Sequence, residues 1–334
     1  MFADYPAVFL LSALLIFGVR RYASRFGLVD IPNERSSHKE AIARGAGIGF
    51  SAALLIIFTL FHFNLAITYK WTLLAILLVF IIGILDDRHD TSPNTKFIII
   101  FISTYLLSLD GIIIDDLGTY WGTELSLGWL ALPFTMFAVS GFTNALNLID
   151  GLDGLSATIS IVILSVYAVI GYQHHDAFIF LFSTLLIVSL LAFLLYNWHP
   201  ATIFMGDSGS LTLGFIISVI AIKSLAYMPT VSVLFVAALP ILDTLVVMIR
   251  RKRAGKSVFT PDRCHMHHIL LHYLKGDIRK TVLTLAIVQL IYSTIGIQMD
   301  KQMDEGLLLI LFLVNVVVLY LFLQWMIQRK GESC

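Results

Sequence analysis

The sequence predicts an all-α, polytopic membrane protein of about eleven transmembrane helices, with its N-terminus outside and its C-terminus inside. Three observations predict it. Of 334 residues, 58% are hydrophobic and only 13% charged, against roughly 25% charged in a soluble domain. The apolar residues fall in runs near the length of helix, about 20 residues, that crosses a bilayer core. The basic residues also separate cleanly once those runs are drawn as spans.

The spans are read at 4–20, 45–63, 71–86, 94–110, 129–147, 156–172, 177–196, 209–226, 230–249, 280–297 and 306–327. The first is not a cleavable signal: its apolar run, Phe9–Val19, precedes Arg20, Arg21 and Arg25, the reverse of a signal peptide's order. The third ends on Asp86-Asp87. Between the fourth and fifth lies a segment, Asp110–Gly128, with four acidic residues, no Lys or Arg, and the interface-suited aromatics Tyr120 and Trp121. The fifth is the least regular, because Pro133 and Gly141 interrupt it. A long basic loop, 250–280, separates the ninth span from the tenth. With the N-terminus outside, 19 of the 22 Lys and Arg lie inside, and only Lys70, Lys223 and Lys301 lie outside. A helix missed in the middle would scramble that division. The whole chain, 1–334, reads as one integral membrane domain.

Net charge is zero, which gives no basic excess for nucleic acid. The two cysteines, Cys264 and Cys334, are far apart, and one falls in an inside loop, so free thiols are expected.

Four polar segments land on the inside face. They are Asp86-Asp87-Arg88-His89-Asp90; Asn144 to Leu155, with Asn147, Asp150, Gly151, Asp153 and Gly154; Phe204 to Ser210, with Gly206, Asp207 and Ser208; and Pro261 to His268. Each has a simpler reading alone: headgroup-level charges, a capped turn, a helix N-cap, a topogenic basic loop. Together they surround apolar spans in which carboxylates are expensive, and that convergence points to a site. Clustered carboxylate and amide oxygens without clustered cysteines are hard ligands, suited to Mg²⁺ or Mn²⁺. Magnesium sites borrow phosphate oxygens from substrate. A helix starting after Gly206-Asp207-Ser208 is expected to offer free N–H groups to an anion, and the arginines and histidines of the long loop are expected to close over a diphosphate. A zinc site at Cys264, His265, His267 and His268 is poor, since the ligands are too bunched.

On these motifs the chain resembles the polyprenyl-phosphate N-acetylhexosamine-1-phosphate transferases, most closely the bacterial branch that uses UDP-N-acetylglucosamine. The resemblance begins at Pro32-Asn33-Glu34-Arg35-Ser36-Ser37-His38 and Arg44-Gly45-Ala46-Gly47. It runs through Leu85-Asp86-Asp87, Asn144–Leu155 and Phe204–Ser210 to His265-Met266-His267-His268. The His-x-His-His form marks this branch; the branch that transfers phospho-muramoyl-pentapeptide has three consecutive histidines. The family often has prolines at Ala41 and Ala43 and a glycine at Ala46, which concerns only the shape of the first inside loop.

The resemblance implies transfer of a sugar 1-phosphate from a UDP-N-acetylhexosamine to undecaprenyl phosphate with release of UMP, Mg²⁺ as cofactor, and a bacterial inner-membrane location with the site facing the cytoplasm. It leaves room for a homodimer. By correspondence, Asp207, Asn147 and Asp87 would hold the metal, and Asp86 and Asp87 would serve catalysis near the lipid phosphate. Arg44, Asn144, Asp150, Asp153, Arg263, His265, His267 and His268 would bind substrate, with Asp153 toward the uracil. A different aminosugar donor is the nearest alternative. A secondary transporter would place its ionisable groups near the bilayer midplane, whereas these cluster at helix ends.

Overall fold

The computed structural model describes residues 3–30, 41–257 and 265–330. The chain is helical throughout: α1 Asp4–Phe26, α2 Ala46–Phe61, α3 Phe63–Thr68, α4 Lys70–His89, α5 Pro93–Leu109, α6 Ala131–Ile149, α7 Leu155–Gln173, α8 Ala177–Asn197, α9 Asp207–Ser224, α10 Ser232–Val236, α11 Ala238–Arg253, α12 Met266–Tyr273, α13 Ile278–Ile297 and α14 Glu305–Lys330. Two small hairpins interrupt them, β1 (Val29–Asp30) with β2 (Ile42–Ala43), and β3 (Asp116–Tyr120) with β4 (Thr123–Ser126). Among the described residues, seven helices are long and apolar enough to cross a membrane, which makes this a polytopic membrane protein. Every one of the eleven predicted runs falls on helix.

The helix α9 is the hub. Of its residues 89% are buried, and it packs against α2, α4, α6, α7 and α8. Glycine permits that closeness: a Cβ on Gly47 of α2 would sit 2.0 Å from the Gly209 nitrogen, and one on Gly83 of α4 would sit 2.6 Å from the Ser208 Cα. Without a hydrophobic drive between helices in lipid, such backbone approach is what holds them.

Three expectations are refined. Pro133 does not disturb the fifth span, because it lies in the first turn of α6, where its missing N–H has no intrahelical partner to lose. The ninth span is two helices, parted at Ala237. Pro240 cannot donate to the carbonyl of Val236, and Gln289 and Ser293 of α13 donate to that carbonyl instead, at 2.7 and 2.8 Å. The Leu239 N–H completes the repair by donating to Gln289 Oε1 at 2.9 Å. The basic segment 250–280 is not all loop, since it contains the end of α11, the whole of α12 and the start of α13.

The acidic segment after α5 forms the β3–β4 hairpin, turned at Trp121-Gly122, both with positive φ. It joins the N-terminus of α14, where the buried Glu305 accepts from the Thr230 and Val231 N–H groups at 2.7 and 2.8 Å. At this end of the bundle Lys223 also pairs with Asp176 at 3.0 Å. The segments carrying Lys70, Lys223 and Lys301 thus belong to one end. The ends of α4, α6, α8 and α11 and the starts of α2, α7, α9 and α12 make the other.

Candidate active site

The site starts from the last turn of α4. Successive residues on a helix point about 100° apart, and the adjacent aspartates take different tasks. Asp87, buried, reaches the start of α9: its Oδ1 accepts the Asp207 N–H at 2.7 Å and its Oδ2 the Ser208 N–H at 3.0 Å. Gly206, at φ 75°, has no room for a side chain, since a Cβ would lie 2.5 Å from Asp87 Oδ1. The Gly209 and Ser210 N–H groups bond to the Gly206 carbonyl at 3.1 and 2.9 Å. The helix start expected to offer free N–H groups to a substrate anion is therefore filled from within the chain. The anion that satisfies the helix dipole is Asp87 itself.

Asp86 turns the other way. Its Oδ1 accepts from the Thr91 backbone and hydroxyl at 2.8 and 2.6 Å, and its Oδ2 from Lys96 at 3.1 Å. The same ammonium donates to Asp207 Oδ2 at 2.9 Å. On the far side, Asn147 of α6 donates to Asp207 Oδ1 at 3.0 Å and to Ser210 Oγ at 2.8 Å. Asp207 is thus held between a cation and an amide. Lys96 was not foreseen as a site residue, having counted only as one inside charge. The signal was present: a single lysine opening an apolar helix, beside an acidic cluster, is expensive unless paired.

Beside these groups lies a cavity of about 420 Å³. Asp87, Asn147 and Asp207 line it on one side, and Asp150, Gly151 and Asp153 of the α6–α7 turn on another. Arg44 and Asp30 border it from the β1–β2 hairpin, whose following residues are stitched to the approach to α9: the Ala46 and Gly47 N–H groups donate to the Phe204 and Met205 carbonyls at 3.1 and 2.9 Å. His268 lines it from α12. Burial first, and then the negative charges of Asp207, Asp87 and Asp153, push the Asp150 carboxyl up to about 7. The cavity's hard-oxygen donors on the α9 side are Asp207, whose two oxygens accept from Lys96 and Asn147, and, with its amide turned, Asn147 itself, while Asp87 accepts from backbone. Among the described residues no three His, Cys, Asp or Glu side chains converge on a metal position. That set fits Mg²⁺, which takes one or two protein ligands and completes its shell with water and phosphate.

The predicted site residues thus divide. Arg44, Asp87, Asn147, Asp150, Asp153, Asp207 and His268 share the cavity. Asp86 lies behind Asp207, and Asn144 does not line the cavity. Arg263, Cys264 and the Pro32–His38 motif lie outside the described residues. The histidines separate by depth. Asp243 of α11, fully buried and unforeseen, accepts from His265 Nδ1 at 2.7 Å and from the Met266 N–H at 2.6 Å, which docks α12. His267 is 1% exposed, and among the described residues neither ring nitrogen has a partner. Burial, and then the neighbouring His268, drive its pKa down to about 3, so it stays neutral. Its Nε2 lies against Gly151, where a Cβ would come within 2.3 Å. His268 packs on it, ring centroids 4.2 Å apart, and reaches the cavity.

Residues 69–225 match the model of glycosyl transferase family 4. A protein of Bacillus subtilis named a probable undecaprenyl-phosphate N-acetylglucosaminyl 1-phosphate transferase is 34% identical over 94% of this chain and 88% of its own. The undecaprenyl-phosphate alpha-N-acetylglucosaminyl 1-phosphate transferases of Yersinia pestis and Escherichia coli K12 are 32% and 28% identical, over 79% and 93% of this chain and 75% and 88% of theirs.

Proposed function

The chain belongs to glycosyl transferase family 4, and from that premise we propose that it transfers N-acetylglucosamine 1-phosphate from UDP-N-acetylglucosamine to undecaprenyl phosphate, releasing UMP. The product is the first lipid-linked intermediate of a cell-envelope glycan. The names of the relatives support the acceptor and the sugar phosphate. One observation carries the reading in this chain: Asp207, held between Lys96 and Asn147, borders a cavity whose other side is the Asp150–Asp153 turn. That arrangement supports reading the Asp207 side as the phosphate-handling end and the Asp150–Asp153 turn as the base-handling end.

The acceptor is a phosphate and already anionic, so no strong base is needed. The requirement is to hold two negative groups in line and neutralise their repulsion. An oxygen of the lipid phosphate attacks the sugar-proximal phosphorus, and the bond from that phosphorus to the oxygen of the uridine-bearing phosphate breaks. One pyrophosphate linkage forms as one is lost, with no net proton demand, so the reaction runs in both directions. Asp207 and Asn147 would hold Mg²⁺, which supplies charge neutralisation on the donor diphosphate. Lys96 holds Asp86 and Asp207 in position and adds a fixed positive charge. Asp87 fixes the first turn of α9 and so the placement of Asp207. Arg44 and His268 border the cavity as donors to the diphosphate and sugar.

We place the chain in the bacterial inner membrane with about eleven crossings and the site facing the cytoplasm. The division of 19 inside to three outside basic residues supports that orientation. Membranes supplied with undecaprenyl phosphate, Mg²⁺ and a panel of UDP-sugars test the assignment. UMP release should be greatest with UDP-N-acetylglucosamine and absent in Asp207→Asn. Release that ignores the acceptor lipid, or persists in Asp207→Asn, contradicts it.

A further inference from the structure

The Asp150–Asp153 turn is clamped by a segment that none of the foreseen motifs includes. After α8 ends at Asn197, the chain folds back across the turn. Asn197 Oδ1 accepts the Gly154 N–H at 2.8 Å, and its Nδ2 donates to the Ile203 carbonyl at 2.9 Å. Two residues on, His199 Nδ1 lies 2.7 Å from Asp153 Oδ2. The Ala201 N–H donates to that same oxygen at 3.0 Å. Among the described residues both donors to Asp153 reach Oδ2, and none reaches Oδ1. The Asp153 side chain is 17% exposed and lines the cavity. The backbone of His199 is fixed in turn, its carbonyl accepting from Arg279 at 3.1 and 2.8 Å. Arg279 sits in the first turn of α13, just beyond the histidine-bearing α12.

We propose that His199 is a positioning residue for the donor nucleotide, acting through Asp153. With Oδ2 pinned by two donors, the carboxylate cannot rotate freely, and Oδ1 is left as the oxygen to accept from a ligand in the cavity that Asp153 lines. An acceptor fixed there favours a ligand with an N–H at that point. Uracil carries an imide N–H in its ring, whereas cytosine has an unprotonated acceptor nitrogen at the same place. His199 therefore supports preference for a uridine over a cytidine nucleotide. The proposal rests on the transferase reading, because it takes the cavity to be the donor site.

The test uses the full chain, purified into lipid nanodiscs, with His199→Leu and His199→Asn. Leucine removes the donor, while the asparagine amide nitrogen stands close to where imidazole Nδ1 does. In His199→Leu the KM for UDP-N-acetylglucosamine and the inhibition constant for UMP should rise roughly tenfold, the order of effect of losing one orienting hydrogen bond to a charged group. The ratio of UMP to CMP inhibition should narrow, while kcat and the KM for undecaprenyl phosphate stay within threefold. His199→Asn should recover most of the loss. A donor KM and a UMP-to-CMP ratio unchanged in His199→Leu overturn the proposal, and so does a loss that asparagine fails to rescue. Thermal stabilisation by UMP, read without turnover, separates the two levels. If the unmodified chain neither releases UMP nor is stabilised by it, the transferase reading fails and takes the proposal with it. If it responds and His199→Leu responds equally, only the proposal fails.

Discussion

Replacing Lys96 with methionine removes the cation that bridges Asp86 and Asp207 while keeping most of the side chain's length. The ammonium lies 3.1 Å from Asp86 and 2.9 Å from Asp207. At 3 Å and an effective dielectric near 20, each such contact amounts to about 5 kcal/mol of Coulomb energy before desolvation. Breaking a buried pair by deleting one partner costs about 3–5 kcal/mol in practice, and the lower end applies here because the Lys96 side chain is 24% exposed. If about 3–4 kcal/mol of that is lost from transition-state stabilisation, kcat/KM falls by two to three orders of magnitude. The loss should persist at saturating Mg²⁺. The apparent affinity for Mg²⁺ should tighten, because the ammonium no longer competes for Asp207. The assay is UMP release by purified protein in nanodiscs across a Mg²⁺ titration, with melting temperature as the check on folding. Activity within threefold of the unmodified chain at saturating Mg²⁺ would refute the role given to Lys96.

Asp243→Ala should raise the donor KM at least tenfold and disturb kcat less, since it frees His265 and the start of α12 from α11; an unchanged KM speaks against docking of α12 as a condition for donor binding. Gln289→Leu strips two hydrogen bonds from the α10–α11 break, with a third to Ser293 of its own helix, and should lower stability by about 2 kcal/mol, read as melting temperature, with an unaltered melt as the contrary result. His267 has a folded pKa of about 3, below the unfolded value of 6.5. Between those values the unfolded chain binds the extra proton, so this residue's contribution is intact above pH 6.5 and lost as pH falls. The loss approaches about 1.4 kcal/mol per pH unit below pH 6. Stability measured from pH 7 to pH 4 should fall less steeply in His267→Leu, and parallel curves would exclude this origin.

The helical runs and most of the polar residues that gather at the candidate site were legible because the membrane makes polarity conspicuous. Asp86, Asp87, Asn147, Asp150, Asp153 and Asp207 stand at the ends of apolar runs, where each needs a reason. What stayed hidden depends on partners distant in the chain. Asp87 reads as a ligand until α9, over a hundred residues later, presents its N–H groups to it. Lys96 looks like an ordinary inside charge until Asp207 is placed beside it. The three histidines look alike in sequence, but their order on α12 sends His265 to Asp243, His267 under Gly151 and His268 to the cavity. The division of the ninth span was masked because Gln289, fifty positions on, supplies the hydrogen bonds that Pro240 cannot.

In the proposed reaction phosphate moves with the sugar. UDP-N-acetylglucosamine labelled at the sugar-proximal phosphorus, incubated with the purified chain, undecaprenyl phosphate and Mg²⁺, tests it directly. The label should appear in the lipid product and be absent from the released nucleotide, which should be UMP. Label retained in UDP would mean transfer of the sugar alone, and would contradict this account.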